Sequence, residues 1–389
     1  MRICFISHTA ARNGAELALL ELLKGLSTLN VQCLVFVPEK GPLVPELDKL
    51  DIDWRVVSYP WWWKLRGKSL PRRALRTLGG LAAATRIAIM LRRWRCDVVV
   101  TNTVAISTGA FAAWLARKPH VWHLHESPYR DSRITFDLGI RLSMRLIDRL
   151  STRIVAVSHA VADDYSRYIR RDRLRVVYQS ITSGAGLSQD EIGGIHYPTL
   201  DTNVFKCAIV GSLQPWKGQD EAIKALSEIV RRGIDAHLLI VGDGDSLFTT
   251  ALRNQVKDYG LEHRVTFTGY VNDPTRLIQG TDVVLMCSRW EAFARVMIEA
   301  MLARKAVIAS ASGGTMEQIH DGETGLLYER GNHVELAEKI QYLYQNPQAR
   351  LKLGQAANDW AVGRFTQERY ASEMLDLFKG ILTKERTSA

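Results

Sequence analysis

The sequence predicts two consecutive α/β domains, each a doubly wound, Rossmann-like parallel sheet with helices on both faces. Short apolar runs alternate with helical patterns along most of the chain, and this alternation is typical of parallel sheets that helices cover on both sides. The alternation is interrupted after residue 179 and restarts at Val204. The length of 389 residues agrees with two domains, because it exceeds what one compact core usually holds.

The first half of the chain contains seven predicted strands, most of them strongly apolar. They span residues 2–7, 32–37, 54–58, 97–102, 120–125, 153–157 and 175–178. Helical patterns separate them, for example at 15–29, 72–93 and 104–116. We therefore expect an N-terminal domain over residues 1–180.

The second half repeats the alternation after the interruption. Residues 180–203 are rich in Gly, Ser, Thr and Asp and have little periodicity, so we expect a linker with a mobile loop at 181–203. The strands predicted next span residues 204–210, 236–241, 264–268, 282–286 and 306–310, and the last helical patterns cover 333–344, 347–362 and 366–382. We expect a C-terminal domain over 204–365 and, in 366–389, a helix that crosses back to the first domain.

The composition argues against a disordered, disulfide-rich or membrane-spanning chain. Apolar residues make up 47% and charged residues 24% of the sequence, which is ordinary globular usage. The longest candidate span, residues 78–91, contains Arg86 and is too short to cross a bilayer. The five cysteines have no metal-like spacing, so we expect reduced, buried thiols. The N-terminal apolar run is too short for a signal peptide, and we expect a cytoplasmic protein.

Positive charge is concentrated in the segment from Trp54 to Cys96. The net charge is +10, and this segment contains eleven basic residues, no acidic residue and five of the ten tryptophans, including Trp61, Trp62 and Trp63 in a row. We expect it to contact the anionic cytoplasmic face of a membrane, where indole rings lie at headgroup depth and cations meet phosphate. Single-stranded nucleic acid, which we do not expect, and a solvated basic helix with tryptophans in the core are the alternatives.

Candidate site residues lie where predicted strands end, because ligands of doubly wound sheets bind at the carboxyl ends of the strands. The strand at 282–286 is followed by Glu291 in a turn and by Glu299 in the next helix. The start of that helix, residues 293–295, is expected to offer free N–H groups that suit a phosphate. The two carboxylates suit hydroxyl groups of a sugar and a ribose. The alternative is a helix-start acid and a solvated helical acid.

Three further residues suit an anionic or sugar ligand. Gly14 opens a helix after the first strand, where a missing side chain lets backbone N–H groups approach a phosphate; a packing turn is the alternative. Lys217 supplies a point charge at a helix start, unless it is an ordinary surface lysine. His125 ends an apolar strand, where it either meets a ligand or is a buried histidine. Asp243 and Asp245 are interpreted as a turn and a helix cap, with no metal site expected.

Several stretches together resemble the retaining GT-B glycosyltransferases of family 4, the glycosyl transferases group 1. Glu291 and Glu299 have that family's E-x7-E spacing. In the predicted C-terminal domain the similar stretches are residues 211–219, 238–244, 265–271, 310–317 and 321–327. In the N-terminal domain they are residues 13–16 and 122–126. The stretches follow the family's order and span almost the whole chain.

The resemblance implies a GT-B fold, in which two Rossmann-like domains face each other across a central cleft. It also implies a glycosyltransferase that keeps the anomeric configuration and needs neither a cofactor nor a metal. The donor substrate would be a nucleotide-diphosphate sugar bound mainly by the C-terminal domain. A lipid-linked or saccharide acceptor would enter from the N-terminal domain, in the synthesis of a polysaccharide, a lipopolysaccharide or a glycolipid.

The resemblance further implies roles for individual residues. Catalytic roles fall to Lys217, which would bind the donor diphosphate, to His125, which would meet the donor sugar, and to Glu291, which would orient sugar hydroxyls. Glu299 would hold the ribose. The donor-binding residues that the resemblance implies are Gly14, Ser212, Lys217, Tyr270, Phe293, Ala294, Arg295 and Glu299.

Three positions depart from the family's usual pattern. Ser212 stands where the family often has arginine, Trp216 where some members are basic, and Ala294 where glycine is usual. Two other functions therefore stay open: a GT-B-like nucleotide-sugar epimerase and a non-catalytic sugar-nucleotide-binding protein. A dinucleotide oxidoreductase is disfavoured, because no Gly-x-Gly-x-x-Gly follows the first strand.

Overall fold

The chain folds into two compact units, as seen in a computed structural model that describes residues 1–65, 70–127, 130, 134–181 and 204–388. Unit 1 consists of Met1–Ser180 and Gln367–Ala389, and unit 2 consists of Ile181–Thr366. The expected linker and loop at 181–203 lies, apart from Ile181, outside the described residues.

Unit 1 is built around a parallel sheet of seven strands. With strands numbered along the whole chain, these are β1 (Arg2–Ser7), β2 (Gln32–Val37), β3 (Asp53–Val56), β5 (Val98–Asn102), β6 (His120–Leu124), β8 (Arg153–Ala156) and β9 (Leu174–Val176). The sheet order is β3-β2-β1-β5-β6-β8-β9. The order reverses between β1 and β5, so the carboxyl ends of these two strands form the topological switch point of the unit.

Helices cover both faces of this sheet. They are α1 (Gly14–Thr28), α2 (Leu43–Lys49), α3 (Leu70–Arg93), α4 (Thr108–Ala116), α5 (Ile140–Leu150), α6 (His159–Ser166) and α14 (Gln367–Ser388), with a 3₁₀ turn at Arg171–Arg173. The C-terminal helix α14 packs against α1 in unit 1. The two helices approach closely, since a Cβ atom placed on Gly25 would lie 2.6 Å from the Cβ of Ala371.

A small antiparallel pair in unit 1 was not expected from the sequence. It consists of β4 (Trp63–Leu65) and β7 (Ile134–Phe136), and Trp63 lies opposite Phe136. This pair fixes the backbone after Trp62, whose N–H donates to Ala105 and whose carbonyl accepts from Asp137. The last residue of the tryptophan run, Trp63, therefore begins a strand, and Trp62 is held by two backbone hydrogen bonds just before it.

Unit 2 contains a second parallel sheet, of six strands. They are β10 (Phe205–Val210), β11 (Ala236–Val241), β12 (Val265–Gly269), β13 (Val283–Met286), β14 (Ala306–Ser310) and β15 (Leu326–Tyr328), in the order β12-β11-β10-β13-β14-β15. The helices of the unit are α7 (Gln219–Arg231), α8 (Ser246–Asp258), α9 (Thr275–Gln279), α10 (Arg295–Leu302), α11 (Thr315–Gln318), α12 (His333–Gln345) and α13 (Pro347–Arg364). The switch point lies between β10 and β13.

The predicted fold class, two doubly wound Rossmann-like domains, is confirmed. Most residues of the central strands are buried, which agrees with the continuous apolar runs typical of parallel strands covered on both faces. The prediction that all five cysteines are buried, free thiols is also confirmed. Besides the β4–β7 pair, the sequence analysis omitted β15, whose three residues form too short a run to stand out.

Candidate functional sites

Lys217 and Glu291 meet at the switch point of unit 2. Lys217 follows β10 and Glu291 follows β13, and these strands are neighbours in the sheet. The Nζ atom of Lys217 lies 2.5 Å from Oε1 of Glu291, and the two side chains are 27% and 12% exposed. The sequence analysis gave these residues separate partners, whereas the structure pairs them with each other. A partly buried ammonium and carboxylate at a strand-end switch point can bind a ligand that carries both phosphates and hydroxyls.

Gly218, next to Lys217, packs against the backbone after β13 at a position where no other residue fits. Gly218 has a φ of +75°, and a Cβ atom there would lie 2.1 Å from the carbonyl oxygen of Cys287. Both the backbone conformation and the lack of space therefore require glycine. The neighbouring backbone adds a hydrogen bond, because the N–H of Arg289 donates to the carbonyl of Trp216 at 2.8 Å. The loops that carry Lys217 and Glu291 are thus held together by their main chains.

The loop after β14 holds Glu291 from the other side. The N–H of Gly314 donates to the Glu291 carbonyl at 2.8 Å, and a Cβ atom on Gly313 would lie 2.4 Å from that same carbonyl oxygen. Ser288 donates its hydroxyl to Oε1 of Glu291 at 2.7 Å. In turn, Ser310 donates to the carbonyl of Ser288 at 2.5 Å. The carboxylate is oriented in advance by its supporting hydrogen bonds, which lowers the cost of binding a ligand.

The start of α10 differs from the sequence-based expectation of free N–H groups at 293–295. The N–H of Ala294 donates to Oε1 of Gln318 at 3.0 Å, and the N–H of Arg295 donates to the carbonyl of Phe293 at 3.1 Å. The Phe293 ring is buried and packs edge-on against Phe365 at 5.8 Å between ring centroids. Phe293 and Ala294 therefore support the loop from inside the unit, and two of the expected phosphate-binding N–H groups are already bonded.

The departure at Ala294 is sterically acceptable. Its φ is −84°, which any residue with a Cβ atom adopts without strain. The methyl group is buried, so it packs in the interior of unit 2. The alanine in place of the family's usual glycine thus leaves the loop backbone in an ordinary conformation.

The four other predicted donor residues of unit 2 differ in how exposed they are. Ser212 is exposed, and its carbonyl accepts from Nε2 of Gln219 at 3.0 Å. Tyr270 follows β12 and is 66% exposed. Arg295 and Glu299 are half-buried on the first two turns of α10. All four belong to unit 2, on the loops and helix that follow β10, β12 and β13.

The acidic turn after β11 is a helix cap, as predicted. Oδ1 of Asp245 accepts from the N–H of Phe248 at 2.8 Å at the start of α8. Oδ1 of Asp243 accepts from the N–H of Gly244, also at 2.8 Å. Both carboxylates satisfy backbone N–H groups in the turn, as is usual for aspartate at helix starts.

In unit 1, His125 is fixed by two amide side chains. Its Nε2 lies 2.7 Å from Oδ1 of Asn102, and its Nδ1 lies 2.8 Å from Nε2 of Gln179. The Asn102 amide also donates to the carbonyl of Ala15 at 3.1 Å, which connects the end of β5 to the start of α1. A neutral imidazole with Nε2–H donating and Nδ1 accepting satisfies both contacts. A sugar that hydrogen-bonds to the ring of His125 must therefore displace one amide.

A second cluster lies at the switch point of unit 1, where the sequence predicted only Gly14. Gly14 is the first residue of α1, and Asn13 and Glu16 form a capping box there. Glu16 is fully buried; Oε1 accepts from the hydroxyl of Thr9 at 2.8 Å and lies 3.0 Å from Nδ1 of His8. Burial raises the pKa of Glu16, but hydrogen bonds from His8 and Thr9 outweigh it and lower the pKa below the usual value.

Glu126 lies near this cluster, and its pKa is raised, whereas that of Glu16 is lowered. Its Oε1 accepts from the N–H of Val104 at 2.9 Å. Burial raises the pKa of Glu126, and the charge of Glu16 adds to that increase while His8 opposes it. Two carboxylates and an imidazole thus share the carboxyl ends of β1, β5 and β6.

The tryptophans of the segment 54–96 have several different environments. Trp62 is only 7% exposed and donates its indole N–H to the carbonyl of Val104 at 2.6 Å, so the expectation that it inserts into a membrane is wrong. Trp61 is 39% exposed. Trp54 and Trp94 are half-buried and pack against the cores of unit 1. Within the described ranges, no helix combines the length and the apolar character needed to cross a membrane.

Several site residues were missed in the sequence analysis. In unit 2 these are Ser288 and Gln318, which hold the Glu291 loop, and in unit 1 they include Asn102 and Glu16. Glu16 could have been found, since an Asn followed three residues later by Glu is a capping-box signature. Gln318 gave no such signal, because its contact with Ala294 depends on tertiary packing.

Two family models match the two units in turn. The model of the glycosyl transferases group 1 matches residues 198–360, and that of glycosyltransferase family 4 matches residues 12–182. Together they cover the sheet of unit 2, the sheet of unit 1 except β1, and the loops that carry His125, Lys217 and Glu291.

Two individual relatives share about a quarter of their residues with this chain over most of its length. The Anabaena protein HepE, solved in complex with UDP-glucose, is 26% identical with a TM-score of 0.80, and the match covers 98% of this chain and 100% of that one. N-acetyl-alpha-D-glucosaminyl L-malate synthase of Bacillus anthracis is 25% identical over 60% of this chain and 61% of that protein.

A mannosyltransferase is similar to this chain over a smaller share of its length. The GDP-mannose-dependent alpha-(1-6)-phosphatidylinositol monomannoside mannosyltransferase of Mycobacterium tuberculosis is 32% identical, over 43% of this chain and 46% of that protein. The matches to these curated relatives therefore span less than two thirds of their lengths. The matches to both family models and to the solved GT-B structures nevertheless agree with the observed sheets, and the chain belongs to the GT-B glycosyltransferases of family 4.

Proposed function

We propose that this protein transfers a sugar from a nucleotide-diphosphate sugar to a hydroxyl group of an acceptor, with retention of the anomeric configuration. The observation that carries the proposal is the Lys217–Glu291 pair at the switch point of unit 2, 2.5 Å apart. A diphosphate leaving group needs a cation close to its developing charge, and a sugar needs an acceptor for its hydroxyls. The pair supplies one of each.

In this proposal, binding of the donor separates the two charges. The ammonium of Lys217 moves to the diphosphate, and the Glu291 carboxylate, still held by Ser288, accepts from the sugar hydroxyls. The exchange replaces one ion pair by two polar contacts with the donor. Without the donor, the two side chains therefore stay paired with each other. Tyr270, two thirds of whose surface is exposed, would pack on the nucleotide base. Glu299 would hold the ribose.

Retention is proposed to follow a same-face route. The glycosidic bond to the phosphate breaks through a transition state that resembles an oxocarbenium ion. The acceptor oxygen then bonds to the anomeric carbon on the face that the phosphate leaves, and the departing phosphate takes the acceptor's proton. The protein's contribution is electrostatic, since Lys217 stabilises the leaving charge. In this proposal Lys217 supplies positive charge at the diphosphate, and the transfer proceeds without a metal ion.

The donor nucleotide is proposed from the relatives. HepE is described with UDP-glucose, and the M. tuberculosis mannosyltransferase as dependent on GDP-mannose. UDP-glucose and GDP-mannose are therefore the first donors to examine. A saccharide or lipid-linked acceptor, and a role in polysaccharide, lipopolysaccharide or glycolipid synthesis on the cytoplasmic side of a membrane, are part of the same proposal.

The proposed membrane contact is carried by the outer face of α3, defined by Leu78, Leu81, Arg86, Ile89 and Arg93. All five side chains are exposed, and their spacing places them on one side of the helix. Exposed leucine and isoleucine side chains bordered by arginines suit an anionic lipid surface. Each basic residue near such a surface adds about 1 kcal/mol to the free energy of membrane binding.

The experiment that tests the proposed function starts with a thermal-shift screen of UDP-, GDP- and ADP-sugars, since a ligand that binds the folded protein raises its melting temperature. The stabilising donor is then incubated with and without saccharide and glycolipid acceptors, and with EDTA. We expect slow hydrolysis alone, faster transfer with an acceptor, an unchanged rate in EDTA and an α-linked product from an α-linked donor. A free epimerised sugar nucleotide would indicate an epimerase instead, and binding without any turnover a non-catalytic protein.

A further inference from the structure

The three consecutive tryptophans divide between the interior and the surface of unit 1. Trp61 and Trp62 precede strand β4, which begins at Trp63. Trp62 points inward and stacks on Trp122 at 5.8 Å between ring centroids. Trp61, which is 39% exposed, and Trp63, which is half-buried, stack on each other at 6.0 Å between ring centroids with an interplanar angle of 12°. The buried Trp62 thus anchors a two-indole platform.

The platform is attached to the switch point of unit 1. The indole N–H of Trp61 donates to the carbonyl of His8 at 3.0 Å, and the two rings lie 5.4 Å apart between centroids. His8 directly follows β1, at the edge where ligands of doubly wound sheets bind. An exposed aromatic face therefore borders the strand ends of unit 1.

His8 lies beside the buried carboxylate of Glu16. Its Nδ1 lies 3.0 Å from Oε1 of Glu16, and its side chain is 13% exposed. A carboxylate that accepts from Nδ1 fixes both the tautomer and the orientation of an imidazole. The other ring nitrogen, Nε2, is the atom of His8 that would meet a hydroxyl group of the ligand.

We propose that Trp61, Trp63 and His8 form a binding subsite for a neutral pyranose ring of the acceptor. This proposal rests on the proposed function and adds the substrate class that unit 1 receives. The C–H face of a pyranose stacks on an indole, while a ring hydroxyl donates to His8. The carboxylate of Glu16, 3.0 Å from Nδ1 of His8, disfavours a sugar that carries a carboxylate or a phosphate at this position.

A lipid surface is a poorer occupant of the same platform. The N–H of Trp61 is already bonded inside the protein, and the ring is bordered by the polar His8–Glu16 pair. Insertion into acyl chains would remove these polar groups from water without giving them new partners. A sugar keeps them hydrogen-bonded.

The test measures binding of methyl glycosides to the full chain by saturation-transfer NMR. The neutral probes are the methyl glycopyranosides of glucose, galactose, mannose and N-acetylglucosamine, and the matched anionic probe is methyl glucuronide. We expect at least one neutral probe to bind through the protons of one ring face, and the glucuronide to bind at least tenfold more weakly than the glucoside. Absence of binding by every neutral probe, or equal binding of glucoside and glucuronide, would overturn the proposal.

Variants assign the binding to the platform. Trp61→Ala is expected to weaken binding at least tenfold, whereas Trp61→Phe retains an aromatic face and stays within about threefold of the wild type. Trp114→Ala removes another exposed tryptophan, on α4, and is the matched control. UDP binding to the same samples reports that each variant is folded and that unit 2 is intact. Unchanged sugar binding in Trp61→Ala would contradict the proposal even if glycosyl transfer is found, and Trp61-dependent binding without any transfer would contradict the proposed function alone.

Discussion

The ammonium of Lys217 and the carboxylate of Glu291 lie 2.5 Å apart although 74 residues separate them in the sequence. Three close backbone contacts make the pairing possible: Gly218 against Cys287, Arg289 with Trp216, and Gly314 with Glu291. The geometry follows from the strand order, because β10 and β13 are neighbours and their following loops must meet. The pair is thus a property of the fold of unit 2 before any ligand is present.

Lys217 is predicted to bind the diphosphate of the donor and not its nucleoside. Lys217→Met should weaken UDP binding at least tenfold, the loss expected when one charge-assisted phosphate contact is removed, and leave uridine binding unchanged. Titration calorimetry measures both. Lys257→Met, on the exposed end of α8, is the matched control. Equal losses for UDP and uridine would place Lys217 elsewhere.

Gly218 is predicted to be irreplaceable for both stability and activity. Gly218→Ala combines a positive φ with a Cβ atom 2.1 Å from the Cys287 carbonyl oxygen, so it should lower the free energy of unfolding by more than about 2 kcal/mol and displace Lys217. Gly233→Ala is the matched control, since Gly233 has a φ of +79° and nothing within 4 Å of its added Cβ. Chemical denaturation and donor turnover measure the two effects. Similar behaviour of the two variants would show that the contact with Cys287 does not matter.

Two buried histidines are predicted to make unit 1 sensitive to acid. Burial lowers the pKa of both His120 and His123 to about 3, whereas an unfolded histidine titrates near 6.5. Between these values the unfolded chain binds more protons, so stability is lost as the pH falls from 6.5 toward 3, by about 1.4 kcal/mol per pH unit for each histidine. Melting temperatures of the full chain from pH 7.5 to 5 should fall, and His123→Leu should reduce the slope. The exposed His263→Leu is the control, and an equal slope in His123→Leu would contradict the assignment.

The outer face of α3 is predicted to bind anionic vesicles. Co-sedimentation should require anionic lipid and weaken with salt, because the Debye length shortens. Leu78→Ser with Ile89→Ser should reduce binding several-fold, as exposed apolar area is removed. Leu247→Ser, which changes an exposed leucine of α8 in unit 2, is the control. If the protein stays in the supernatant with anionic vesicles at low salt, the proposed membrane contact is wrong.

Most of the fold could be predicted from the sequence because parallel strands are buried on both faces and read as continuous apolar runs. Strands such as 2–7, 32–37, 236–241 and 306–310 were predicted with the bounds that the structure has. The pair β4–β7 could not be found this way, because each strand has three residues and Trp63 meets Phe136 only through tertiary packing. A run of tryptophans and cations favoured a surface role, and only the structure shows that Trp62 is internal.

The candidate site was predictable in its location but not in its contacts. Strand ends indicated Lys217, Glu291 and His125, since ligands of doubly wound sheets bind there. The sequence could not show that Lys217 and Glu291 neutralise each other, nor that Asn102 and Gln179 hold both nitrogens of His125. These contacts depend on side-chain positions that only tertiary packing determines.

The central claim, that the Lys217–Glu291 pair performs glycosyl transfer from a nucleotide sugar, is tested most directly by steady-state turnover at saturating donor. Turnover is measured for the wild type, Glu291→Gln, Lys217→Met and the double variant, with melting temperatures as the check on folding. Each single variant should lower kcat at least about 100-fold, and the double variant should lose little more, because the two residues act as a unit. Wild-type turnover in either folded single variant would contradict the account.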